Sequence, residues 1–280
     1  MTAPSTIKLY QSVINGLIKR DIDDFNYSDE LMHFLETNKN GSKASLNTVK
    51  SKISAIMYEN KSRGVDPVQW HQKFVELVVK ISKEKTYVAT EDTITWSELK
   101  DLYKSTKIVD VAGGLVAKSQ KLLLAVYSLL PPRRILDFSQ MKVVEKMPKL
   151  ANGFNYVAIG TKRCTMQFNV YKTEKNYGRQ NFPVPAALKK LIVAAGATVG
   201  QPLFPTMGGG YYSQAEFSTR IGNLTEKLIG KRATVNSYRH AYITHFLSSN
   251  PTTPQRKKVA AAMGQSVSIA LEYDQRPEED

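Results

Sequence analysis

Thr234-Val-Asn-Ser-Tyr-Arg-His-Ala-Tyr-Ile-Thr-His-Phe246 reads as an amphipathic helix with an arginine built into it. Tyr238, Tyr242, Ile243 and Phe246 recur at helical spacing, so they can face a core while Arg239 is held by a rigid element. Downstream, after a proline-containing turn and a short helix, Met263-Gly-Gln-Ser-Val-Ser-Ile-Ala-Leu-Glu-Tyr273 is a glycine-broken segment that delivers a tyrosine. Upstream, Leu130-Pro-Pro-Arg-Arg-Ile-Leu-Asp-Phe138 places an arginine at the start of another helix. Two arginines and a tyrosine in this arrangement suit a phosphate clamp with a nucleophile.

The charge balance supports a polyanionic partner. The 280 residues include 39 Lys and Arg against 25 Asp and Glu, a formal net charge of +14. Residues 1–85 carry 13 basic and 10 acidic groups, so a net +11 falls on residues 86–280, the part that holds the arginines. Such an excess points first to nucleic acid. The hydrophobic fraction of 42% is that of an ordinary globular protein, long enough for one large domain or two smaller ones. Cys164 is the only cysteine, which excludes an intrachain disulfide framework and a cysteine-rich zinc site. No charged-then-apolar leader and no run near 18 apolar residues is present, so an intracellular protein with no membrane segment is expected.

Helical periodicity runs through residues 5–20, 28–37 and 45–60, and again from Asp66-Pro67, where Val68, Phe74, Leu77, Val78 and Ile81 are expected to be buried. Residues 1–85 therefore form a helical bundle, with Lys43, Lys50, Lys52, Lys61 and Arg63 on polar faces that can follow a nucleic-acid backbone. Residues 86–95 lose the pattern and read as a linker. Thr95-Trp-Ser-Glu98 is a capping box opening a second domain, 96–280. Helices are expected near 96–106, 115–130, 185–195, 213–229, 236–248 and 254–263. Between them, 154–159, 165–172 and 179–184 have strand character, giving a small antiparallel sheet in a mainly helical domain. No glycine-rich phosphate cradle of the nucleotide-binding kind occurs; Gly208-Gly-Gly210 is only a flexible loop.

These motifs resemble those of the tyrosine recombinases, the phage-integrase type of DNA strand-exchange enzyme, and the likeness covers nearly the whole chain. Arg134, followed by Asp137, fits the first-arginine box in a Pro-Pro-x-Arg form similar to that of large DNA viruses and eukaryotic mobile elements. Arg239 fits the second arginine, Tyr273 the nucleophile, and Lys172 the lysine carried on a β-hairpin. Two positions depart from the pattern: Asn236 stands where the family has His or Lys, and Gln265 where it has His or Trp. The interval from Gly264 to Tyr273 is one residue shorter than the family's.

The resemblance implies a helical core-binding domain and an α+β catalytic domain closing around double-stranded DNA as a clamp, with cleavage in a homotetramer. Arg134 and Arg239 would neutralise the charge that builds on the phosphate oxygens during attack, since guanidinium stays protonated and matches those oxygens with a planar fork. Lys172 would protonate the departing 5′ oxygen, and Tyr273 would store the bond energy as a 3′-phosphotyrosine without metal, ATP or other cofactor. Arg133 competes with Arg134, and Lys175 with Lys172, for these roles. Asn236 and Gln265 can hydrogen-bond but cannot carry a proton at neutral pH. His240 points about 100° from Arg239 on a helix and is expected to buttress it. Two alternatives accompany this reading: a DNA-binding protein on the same fold whose cleavage has decayed, and a type IB topoisomerase-like enzyme that relaxes DNA as a monomer.

Overall fold

The structure, a computed structural model, describes residues 4–38, 40–83, 93–106, 115–149, 153–160 and 163–274. The chain divides into two compact units, Met1–Tyr87 and Val88–Asp280. The expected linker at 86–95 and the acidic end Glu278 to Asp280 fall largely or wholly outside the described residues.

The first unit comprises α1 (Pro4–Ile18), α2 (Asp29–Leu35), α3 (Leu46–Ser62) and α4 (Val68–Lys83). Ser28 and Ser45 cap α2 and α3 by accepting the amides of Leu31 and Thr48, two of the donors a helix start leaves unpaired. Inside, Asn60 Nδ2 and Trp70 Nε1 both donate to the Phe25 carbonyl, at 2.9 and 2.8 Å, which ties α3 and α4 to one point of the chain. The inward face of α4 differs from the expected one. Trp70, Leu77 and Ile81 are buried with Phe74 packed beside them, while Val68 and Val78 are exposed. Trp70, Phe74, Leu77 and Ile81 follow one helical stripe, and the two valines lie off it.

In the second unit, α5 (Trp96–Ser105), α6 (Leu115–Ser128) and α7 (Ile135–Ser139) lead into a sheet of β1 (Met141–Val144), β2 (Asn155–Ala158), β3 (Thr165–Phe168) and β4 (Gln180–Pro183), with α8 (Glu174–Tyr177) between the last two strands. Then come α9 (Ala186–Ala194), α10 (Gln214–Ile229), α11 (Val235–Leu247), α12 (Thr253–Ala262) and α13 (Val267–Leu271). Residues Leu122 to Tyr127 of α6 are buried on every side, as in a central helix, and α5, α9 and α10 pack around it. Capping boxes at Thr95/Glu98, Ser213/Glu216 and Thr234/Ser237 open α5, α10 and α11.

Two expectations about the sheet are corrected. It has four strands in the order β1-β2-β3-β4, and β1 pairs with β2 in parallel, so it is mixed rather than purely antiparallel. β3 also stops at Phe168, so Lys172 lies in a turn and not at a strand end. Asn155 is the cause: its Oδ1 accepts the amides of Asn169 and Val170, each at 2.8 Å, and diverts the backbone donors that would extend the ladder. Among the described residues, no helix is long and apolar enough to cross a membrane.

Candidate active site

Arg239 is fully buried, an unusual place for a guanidinium, and its surroundings are built to hold it. α11 delivers it from a capped first turn, with Tyr238 and Ala241 anchoring the helix in the core. Its Nη1 donates to the carbonyls of Pro132 at 2.7 Å and Met263 at 3.3 Å, and Nη2 donates to Gln265 Oε1. Three separate segments thus converge on one side chain: the start of the Arg133-Arg134 box, the end of α12, and α11 itself. Burial lowers the guanidinium's pKa; Tyr273, within its hydrogen-bonding reach, and Asp137 oppose that, while Arg134 adds to it.

The turn after α12 is the second component. Gly264 has φ +65°, and a Cβ there would lie 2.7 Å from Arg133 Nη2, so only glycine lets the turn approach so closely. Its carbonyl accepts from Arg134 Nη1 at 3.0 Å and from Thr173 Oγ1 at 2.7 Å. The next residue, Gln265, is buried and faces Arg239.

The structure separates the two adjacent arginines. Arg133 is buried, paired with Asp137 at 2.6 Å, and donates to Gln180 Oε1 and the Ala262 carbonyl; the rings of Phe168 and Tyr171 lie 4.0 and 4.9 Å from it. It is a brace between α7, the sheet and α12. Arg134, at the N-cap of α7, is half-buried and directed to the Gly264 turn beside Arg239. Burial pushes the Asp137 carboxyl up, opposed by Arg133, Arg134 and Arg239. Three guanidiniums against one carboxylate leave a net positive, poorly hydrated locus that favours an anion.

Tyr273 follows α13, a short helix not anticipated from the sequence. The Arg239 Cζ lies 4.8 Å from the centre of its ring. His240 packs against the same ring at 4.7 Å and its Nδ1 lies 3.0 Å from the Tyr273 carbonyl. His240 therefore supports the tyrosine itself, where the sequence pointed only to the arginine helix. Burial lowers the His240 pKa and Arg239 adds to this, against a raising effect of the Tyr273 carbonyl.

The other predicted residues lie outside this cluster of contacts. Asn236 is exposed in the first turn of α11, and Lys172 and Lys175 are exposed around α8; none makes a side-chain hydrogen bond or ion pair among the described residues. In the first unit, Lys43 and Lys61 are exposed and Lys50 is half-buried. Lys52 instead donates to the carbonyls of Leu35 and Thr37, at 2.7 and 3.3 Å, and Arg63 is engaged by Glu59, the Asp23 carbonyl and the Phe25 ring. The brace Arg133-Asp137 and the tether Thr173 were not singled out from sequence; the four-residue spacing from Arg133 to Asp137 was the available signal. Among the described residues, no three His, Cys, Asp or Glu side chains come together to hold a metal ion.

Comparison with known proteins places the architecture. No protein-family model and no curated protein matches the chain. A crystal structure of a lambda integrase dimer bound to a COC′ core site matches at a TM-score of 0.57 and 15% identity, over 100% of this chain and 92% of that one. XerH site-specific recombinase in a post-cleavage complex with a palindromic difH substrate matches at 0.51 and 13%, over 96% of this chain and 74% of that one. The fold is that of the tyrosine recombinases and integrases.

Proposed function

We propose that this chain breaks and rejoins duplex DNA, with Tyr273 as nucleophile. The observation that carries the reading is the convergence of Arg134 and Arg239 on the Gly264–Gln265 turn, with the Tyr273 ring against the buried Arg239 guanidinium. In the proposed step the Tyr273 oxygen bonds to phosphorus and gives its proton to solvent water, the bond from phosphorus to the 5′ oxygen breaks, and Lys172 protonates that oxygen. Phosphoester is exchanged for phosphoester, so rejoining is the same step reversed. Arg134 and Arg239 stabilise the negative charge that develops on the non-bridging oxygens, a contribution worth roughly 10²–10³ in rate for each well-placed donor. Gln265 does not titrate and serves by accepting a hydrogen bond from Arg239. The proposed ligand is double-stranded DNA, met by the exposed cations of both units, and the working assembly is a homotetramer.

A second reading, DNA binding without cleavage, is favoured by two features: both Nη atoms of Arg239 are already engaged by protein oxygens, and Asn236 offers no base. Incubation with a random-sequence pool of nicked duplexes, which trap cleavage by losing a short strand, separates the two. A denaturation-resistant protein–DNA adduct supports cleavage; retention of DNA on native gels without any adduct supports the second reading.

A further inference from the structure

The Gly264 carbonyl is shared by two parts of the site that are distant in sequence. Arg134 Nη1 donates to it from α7 at 3.0 Å, and Thr173 Oγ1 donates to it from the turn that carries Lys172 at 2.7 Å. That turn is closed on itself. Tyr171 Oη donates to the Gly178 carbonyl at 2.6 Å, the Glu174 amide to the Tyr171 carbonyl at 3.1 Å, and the Asn176 amide to the Thr173 carbonyl at 3.0 Å. Residues 171–178 are thereby braced internally, and what sets their position against the arginines is the Thr173 bond together with the Tyr171 ring on Arg133.

Lys172 is exposed and makes no side-chain hydrogen bond or ion pair among the described residues, so nothing holds its ammonium group directly. The bonds that hold the turn therefore set the point from which its side chain extends. We infer that Thr173 is a positioning residue for proton delivery: its hydroxyl, bonded to the Gly264 carbonyl, couples the lysine turn to the arginine pair and so sets where Lys172 meets the departing 5′ oxygen. The inference rests on the recombinase reading above.

Its chemistry makes it separable from mere support of the fold. An alkoxide leaving group needs a proton in the transition state, whereas a thiolate departs without one. The duplex that wild type selects from the random pool is remade with sulfur in place of the scissile 5′ bridging oxygen. Wild type, Thr173→Val and Thr173→Ser are then compared by single-turnover adduct formation on both substrates. Thr173→Val, which keeps the shape and loses the donor, is expected to slow the oxygen substrate by roughly tenfold to hundredfold and to leave the sulfur substrate within about twofold of wild type. Thr173→Ser is expected to restore the oxygen substrate. Equal slowing of both substrates by Thr173→Val, or slowing of neither, would overturn the inference while leaving the nucleophile in place. Absence of any adduct from wild type would contradict the recombinase reading, and the inference with it.

Discussion

The Arg239 guanidinium carbon stands 4.8 Å from the centre of the Tyr273 ring, although Arg239 lies within α11 and Tyr273 in the turn that follows α13. A buried guanidinium beside the ring of the proposed nucleophile holds a planar fork of donors close to any phosphate bound there. Arg239→Lys keeps a charge and loses the planar fork. Adduct formation should fall by on the order of 10²–10³. The carbonyls of Pro132 and Met263 would lose a fixed partner, so unfolding free energy should fall by about 1–3 kcal/mol. Single-turnover trapping and urea unfolding read the two effects separately.

Arg133 should behave differently from its neighbour. Arg133→Met removes the counter-ion of a buried carboxylate and is expected to cost about 3–5 kcal/mol in chemical denaturation. Combining it with Asp137→Leu should recover much of that loss, because the uncompensated charge goes with it. A double variant no more stable than the single one would show that the brace acts through Gln180 and Ala262 rather than through the ion pair.

His240 gives the structure a dependence on pH. Its folded-state pKa is lowered, chiefly by burial, so above the ordinary histidine value of about 6.5 both states are neutral and its contribution is complete. As pH falls through that value toward the lower folded pKa, the unfolded chain takes up the proton first and stability declines. The stability advantage of wild type over His240→Gln should therefore shrink between pH 7 and pH 5, measured by urea unfolding at each pH. An advantage that grows on acidification would mean that the histidine is held protonated.

The basic residues of the first unit should divide by their contacts. Lys52 donates to two carbonyls at the end of α2, where a cation also meets the negative end of the helix. Lys52→Ala should lower stability by about 1–2 kcal/mol and leave the salt dependence of DNA binding unchanged. Lys43→Ala or Lys61→Ala should do the reverse, each reducing the slope of log affinity against log salt by about 0.9 if the side chain meets a phosphate. Fluorescence anisotropy across a salt series reads the slopes.

Long elements with strong end signals were legible in the sequence. Thr95 with Glu98 and the period of α1, α3, α10 and α11 announce helices that the structure contains. What escaped was short or dictated from outside. β1 is only four residues, Met141 to Val144, and exists because β2 pairs beside it in parallel. The end of β3 is set by Asn155, a side chain on another strand. α4 carries apolar residues on more than one face, so periodicity alone favoured Val68 and Val78 where Trp70 takes the core. The sequence named Arg239 and Tyr273 together and the structure brings them into contact, but Arg133 and Arg134 are adjacent in a turn before a helix, and only the burial of Asp137 decides which one is braced.

Covalent trapping identifies the nucleophile. Wild type and Tyr273→Phe are incubated with the nicked random-sequence pool, denatured, and any adduct is digested and its DNA-bearing peptide sequenced. Wild type is expected to give an adduct whose peptide is modified at Tyr273, and Tyr273→Phe none. An adduct that persists in Tyr273→Phe, or a modified residue other than Tyr273, would contradict that expectation.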